Sequence, residues 1–286
     1  MPGDFLQKFL FEDLLVKGSL VRLSSSWQEI VHRARPKAVT KYVLGETLCA
    51  SVLLTSNIRF NGSVSLQIQS GGALRLVVGQ CSHDGRLRGI ARQSEERSLP
   101  FLDHAILSLN LEPDHGGTPY QGMVEMDNSG LVPAIERYFS DTEQLQSRFW
   151  LAAGDSQCSG LMLQKMPEGR MDPDAWNRVQ QLASSLSEKK LQSLQPERLI
   201  RALFHQESVR LYAASDIRFS CSCSTDKVTG MLAALGRNEL HSLLCEMGRI
   251  EVCCEYCGKD YLFDPIDIAR LLSGPDSPAL PIGGIH

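Results

Sequence analysis

The sequence predicts an α+β protein in parts: a mixed helix and antiparallel-sheet domain over 1–170, an amphipathic helical linker over 171–215, a small cysteine-bearing domain over 216–272, and a flexible tail over 273–286. Three observations predict it. Strand-like alternation comes in neighbouring runs instead of alternating with helices, which points to antiparallel pairing. After Met166 the apolar residues take helical spacing with no strand pattern. Six of the nine cysteines fall between Cys221 and Cys257, so the C-terminal part has a chemistry of its own.

In chain order, Trp27, Ile30, Val31 and Ala34 form one helical face. A second helix runs from Val39 through Val43, Leu44, Thr47 and Leu48 to Val52. Val64, Leu66 and Ile68 alternate, as do Leu74, Leu76 and Val78, with Ser70-Gly71-Gly72 as the hairpin turn between them. Leu107, Leu109 and Leu111 share one face of a further strand, and Leu131, Ile135, Tyr138 and Phe139 mark a short helix. Arg148 to Ala152 and Leu161 to Met166 read as a strand pair. The linker opens at Asp172-Pro173-Asp174, and Trp176, Val179, Leu182 and Leu186 form an apolar stripe. A second piece starts at Pro196 and carries Leu199, Ile200, Leu203 and Phe204. In the last domain, Ile250 to Cys254 and Tyr261 to Phe263 flank a tight turn. Asp264-Pro265-Ile266-Asp267 then supplies an N-cap, a first-turn proline and an acid in the first turn.

Composition narrows the function. Hydrophobic residues at 43% leave room for a sizeable core. A net charge of −4, with no basic stripe interleaved with aromatics, argues against nucleic acid, whose phosphates need clustered Lys and Arg. No stretch approaches the ~18 apolar residues of a membrane span, and M-P-G-D-F-L-Q-K-F-L lacks the pattern of a secretory signal. The expectation is a cytoplasmic protein with reduced thiols. Cys49, Cys81 and Cys158 read as small buried hydrophobes. The P-loop, G-x-S-x-G, H-E-x-x-H and G-x-G-x-x-G patterns are missing, and the seven histidines are scattered, so no enzyme is expected. Asp103-His104 reads as structural and Asp114-His115-Gly116-Gly117 as a loop.

Cys254-Glu-Tyr-Cys257-Gly258 has the form of a metal-binding turn. Two intervening residues let both sulfurs face one ion, and the glycine lets backbone N–H groups approach them. Cys221-Ser-Cys223 is the second pair. Two local pairs of soft sulfur ligands suit one tetrahedral Zn2+ per chain. If Ile250 to Cys254 is a strand, Cys253 faces away from Cys254, which leaves it out of the ligand set. Cys245, in the helix-like run His241 to Met247, reads as core. A thiol–disulfide oxidoreductase would place C-x-x-C at a helix start after a strand; a zinc-ribbon nucleic-acid binder remains the alternative from the binding class, against the acidic balance.

These cysteine pairs, together with Y-C-G-K-D-Y-L-F-D-P-I-D-I-A, F-L-F-E-D-L-L-V-K-G-S-L-V, P-Y-Q-G-M-V and M-L-Q-K-M-P, resemble the 33-kDa redox-regulated chaperonin family of bacteria over nearly the whole chain. The resemblance implies a stress-response holdase that binds unfolding client proteins without ATP, is switched on by oxidation and is a homodimer when active. It implies Cys221, Cys223, Cys254 and Cys257 as zinc ligands when reduced, and Cys221–Cys223 and Cys254–Cys257 disulfides when oxidised. Cys245 and Cys253 lie outside the family pattern. The physical reading agrees with a switch. A domain of this size has a core worth roughly 3–5 kcal/mol, while four-thiolate zinc adds on the order of 10–16 kcal/mol of folding energy. Disulfides closing such short loops restrain the unfolded chain little. Oxidation should therefore melt the domain and loosen the linker. The apolar face of Trp176, Val179, Leu182, Leu186, Leu199, Leu203 and Phe204 would then be open to clients.

Overall fold

The computed structural model describes residues 3–58, 61–96, 98, 100–114, 116–167 and 174–273. It divides into two compact units, Met1–Ser220 and Cys221–His286. The expected flexible tail beyond Ser273, the residues Asp172 and Pro173 of the expected helix start, and His115 lie outside the described residues.

The larger unit opens with a hairpin of β1 (Phe5–Phe11) and β2 (Val16–Leu23), followed by α1 (Ser25–Ala34) and α2 (Ala38–Thr55). An antiparallel run follows: β3 (Gly62–Gln69), β4 (Leu74–Ser82), β5 (Arg86–Gln93), β6 (Ala105–Pro113) and β7 (Tyr120–Met126). Next come α3 (Leu131–Asp141), β8 (Ser147–Ala153) and β9 (Cys158–Lys165). The linker supplies α4 (Ala175–Ala183), α5 (Glu188–Ser193), α6 (Pro196–Leu203) and the short strands β10 (Val209–Leu211), β11 (Ser215–Asp216) and β12 (Arg218–Phe219).

Two sheets result. The first has the order β10-β1-β2-β9-β8, with β11 also paired to β1, and is antiparallel throughout. The second has the order β12-β5-β4-β3-β6-β7, with β12 alone parallel to its neighbour. The antiparallel α+β expectation holds. Helix α2 packs against strands of both sheets. Close approach needs residues without a side chain: a Cβ on Gly79 of β4 would sit 3.0 Å from the Thr47 carbonyl oxygen of α2. By length and composition α2 passes for a membrane span, against the sequence expectation, but 67% of it is buried inside the protein. It is a core helix.

The first sheet is covered on both faces, so β1 and β2 are buried along almost their whole length and show no in-and-out alternation from which periodicity could mark them as strands. Leu6, Val21 and Leu23 join α2 in one core, while Phe9, Phe11, Val16 and Leu20 face α4 and α6 in another. Asp4 fixes the start of α1 from a distance: its carboxylate accepts from Ser25 N at 2.9 Å, and from Ser24 N and Ser26 N. Three N–H groups that a helix start leaves unpaired are thereby satisfied.

The structure draws two boundaries differently from the sequence reading. The apolar stripe is broken after Ala183, and Leu186 lies in the turn before α5. The segment 216–219, assigned from the sequence to the small domain, instead completes β11 on β1 and forms β12 on β5, so the division falls at Ser220. The linker, expected to be helical, also contains a strand, β10, paired to β1. Pieces of two or three residues carry too little period to be read as strands.

The smaller unit contains α7 (Thr225–Leu235), α8 (Arg237–Met247), β13 (Ile250–Cys253), β14 (Asp260–Phe263) and α9 (Pro265–Ser273). Among the described residues its buried apolar core is Val228, Leu232, Leu240, Ile250, Tyr261, Phe263 and Ile268. The start of α9 is as expected: Asp267 N donates to Asp264 Oδ1 at 2.8 Å and Asp264 N to Asp267 Oδ2 at 3.2 Å, a reciprocal cap.

Candidate metal centre

In the smaller unit, two backbone devices bring four cysteines together. Cys221 and Cys223 lie just before α7, whose N-cap Ser224 accepts from Lys227 N and so sets where the extended chain ends. Cys254 and Cys257 lie in the turn from β13 to β14. There Cys254 O accepts from Gly258 N at 2.7 Å and from Cys257 N at 3.3 Å, and Cys254 N donates to Lys259 O at 2.9 Å. Gly258 has φ +66°, a left-handed conformation that glycine adopts without strain.

The four sulfurs lie within 4.8 Å of one another. The Cys221–Cys254 separation is 3.6 Å and the Cys223–Cys257 separation 3.3 Å. Tetrahedral zinc with Zn–S bonds of about 2.3 Å has S···S edges of about 3.8 Å, so the set fits one such ion. All nine cysteines are free thiols here. Each of these two separations joins a sulfur of one sequence-local pair to a sulfur of the other.

Electrostatics favours a cation at the centre. Burial pushes the Cys257 thiol up to about 12 and raises Cys221 as well. Cys223 is lowered to about 7, first by the Tyr261 hydroxyl beside it. That hydroxyl is buried and lacks a well-formed hydrogen-bond partner, so the contact is a loose one. Four gathered thiolates need a compensating charge, and a bound cation inverts the preference for the protonated form.

Cys253 lies on β13 opposite Asp260, exposed and outside the four-sulfur group. Its thiol is raised, chiefly by a hydrogen bond with Asp260. Cys245 corrects the sequence reading: it is exposed on α8, not core, because the buried face of that helix is presented by Leu240. Cys49, Cys81 and Cys158 are buried, as expected. The C-x-x-C turn joins two strands and does not open a helix, which removes the geometry an oxidoreductase of the expected kind would use. His104 is exposed on the surface, its Nε2 3.6 Å from Asp103 Oδ1.

The apolar linker face is covered. Trp176, Val179, Leu186, Leu199, Leu203 and Phe204 are buried and Leu182 partly so, in one cluster with Phe9, Phe11, Leu20 and Leu161 of the first sheet. The Phe204 ring meets Phe11 edge-on at 4.9 Å between centroids. Sequence reasoning missed the residue that pins this cover. Arg22, 7% exposed on β2, donates to Leu191 O at 3.1 Å and to Leu194 O, the free carbonyls at the end of α5. The one signal was a charged residue inside the apolar run L-V-R-L.

Comparison with known proteins agrees with this arrangement. The family model described as "Hsp33 protein" matches residues 4–264. Proteins named 33 kDa chaperonin are similar to this chain: those of Nitrosococcus oceani and Chromobacterium violaceum are each 38% identical, covering 94% of this chain and 94% and 93% of their own. That of Azotobacter vinelandii is 37% identical, covering 96% and 97%. The crystal structure of the 33 kDa chaperonin from Thermotoga maritima has the same fold, with a TM-score of 0.80 over 94% of this chain and 97% of that one at 21% identity. With its four-cysteine cluster and a family match across almost its whole length, the chain belongs to the Hsp33 family.

Proposed function

We propose that this protein is a non-enzymatic, ATP-independent chaperone whose holdase activity is switched on by oxidation of Cys221, Cys223, Cys254 and Cys257. The observation that carries the proposal is the gathering of four thiols in a unit whose buried apolar core numbers seven among the described residues. So small a core contributes roughly 3–5 kcal/mol at most, and its folding then rests on what those thiols bind. Zinc, when bound, supplies the charge that holds four thiolates together. Peroxide takes two electrons from each thiolate pair, giving a disulfide, and the oxidised sulfurs no longer offer a four-thiolate shell. The pairing proposed is Cys221–Cys223 and Cys254–Cys257. The unit then unfolds.

Clients would bind the face of α4 and α6 now held on the first sheet: Trp176, Val179, Leu182, Leu186, Leu199, Leu203 and Phe204. Between that cover and Cys221 the chain is held by strands of two and three residues, β10, β11 and β12. Each contributes few backbone hydrogen bonds, so the segment opens at low free energy. The partners are unfolding proteins and the working compartment is the reducing cytoplasm, where the resting thiols stay reduced.

Aggregation of a heat-denatured client tests the reading. Suppression is expected after peroxide with mild heat and not with the reduced, zinc-loaded protein. Hydrogen exchange should lose protection from residue 174 to 272 on oxidation and keep it from Val64 to Gln69. Equal suppression by both forms, or salt-sensitive nucleic-acid binding with no suppression, overturns it.

A further inference from the structure

Among the ligand-type side chains outside the four-sulfur group, one His–Cys pair stands together and is left unused by this reading. His241 and Cys245 lie four residues apart on α8, so one helical turn brings them to the same face. Both are exposed. The Cys245 sulfur is 3.5 Å from His241 Nδ1. In a tetrahedral zinc site, with Zn–S about 2.3 Å and Zn–N about 2.0–2.1 Å, the S···N edge is about 3.5 Å. The two side chains therefore already stand at the bite of a chelate, on a rigid helix, with no rearrangement of the backbone required.

A second feature of the same helix favours a cation here. Cys245 lies in the last turn of α8, which ends at Met247 with Gly248 in the left-handed conformation as its cap. The free carbonyls of a helix end carry partial negative charge and attract positive ions. The donor pair, one thiolate and one imidazole, selects a borderline or soft divalent ion over magnesium or calcium.

We propose that His241 and Cys245 form a second metal site on the smaller unit, a two-residue chelate for zinc whose remaining positions are filled by water. Binding replaces the thiol S–H bond by a sulfur–metal bond, and the proton goes to solvent. With two protein ligands instead of four, the site is weaker than the cysteine centre and fills after it. The proposal does not depend on the chaperone reading.

The test is metal titration of the reduced, metal-free full-length protein under anaerobic conditions, with Zn2+ by equilibrium dialysis and Co2+ as the spectroscopic probe. The wild type should bind two equivalents per chain. The second should add a weaker thiolate-to-cobalt charge-transfer band than the first. Cys245→Ser and His241→Ala should each lose the second equivalent and keep the first, and Cys253→Ser should keep both. Both altered residues are exposed, and retention of the first equivalent reports that the unit is still folded. Saturation of the wild type at one equivalent overturns the site. So does a second equivalent that survives both substitutions, or a further half-equivalent accompanied by dimerisation, which would place the metal between chains.

Discussion

Replacing Arg22 with methionine should loosen the cover of the first sheet without oxidation. The guanidinium donates to Leu191 O and Leu194 O, and charge-assisted hydrogen bonds of this kind contribute about 1.5–3 kcal/mol each. Part of that is offset, because Arg22 is buried with its Nε unpartnered and burial lowers its pKa. Methionine keeps most of the volume and ends that desolvation penalty, which is of the order of 1–3 kcal/mol. The net loss is then about 2 kcal/mol, roughly a 30-fold rise in the open population of α5. Hydrogen exchange on the reduced, zinc-loaded protein reads this directly. Amides of Glu188–Ser193 should exchange some 30-fold faster, while those of β3 and β6 stay as in the wild type. The same variant should suppress client aggregation before peroxide is added. If α5 exchanges at the wild-type rate, Arg22 is not the latch. If β3 accelerates equally, the substitution has destabilised the whole unit and the local argument fails.

Other outcomes follow from the same geometry. Cys223→Ser and Cys257→Ser should each lose the tightly bound equivalent of zinc on metal analysis, and Cys253→Ser should retain it; the reverse pattern would shift the ligand register by one. Phe204→Ala removes a ring packed on Phe9 and Phe11 and should lower the thermal stability of the larger unit by about 3–5 kcal/mol, with zinc content unchanged. Glu46 on α2 has its carboxyl raised to about 7, by burial first and the Glu188 charge second. The folded state thus holds the proton more tightly than the unfolded chain, so this stabilisation is complete below the unfolded value and is lost as pH rises through about 7. Denaturant melts at pH 5 and pH 8 should show the wild type losing up to about 3 kcal/mol relative to Glu46→Gln. A difference that does not change with pH would dismiss the effect.

The four-cysteine cluster was legible in the sequence because its parts are local. The C-x-C and C-x-x-C-G pairs carry their own turn geometry, so the cluster needs only one long-range event, the approach of two short segments. The amphipathic stripe of α4 and α6 was legible for the same reason, since helical period survives in any window of a few turns. Tertiary structure decided what that stripe covers. Phe9 and Phe11 belong to strands whose two faces are both buried, and a strand buried on both sides has no alternation to betray it. Only pairing partners far along the chain could reveal β10, β11 and β12, whose two or three residues have no period of their own. The exposure of Cys245 likewise depends on which side of α8 meets the small core, and a short helix with a weak apolar stripe leaves that choice to its neighbours. Arg22 shows the limit most plainly. A charged residue in an apolar strand signals that something must satisfy it, but the carbonyls that do so lie 169 and 172 residues away, and folding alone brings them together.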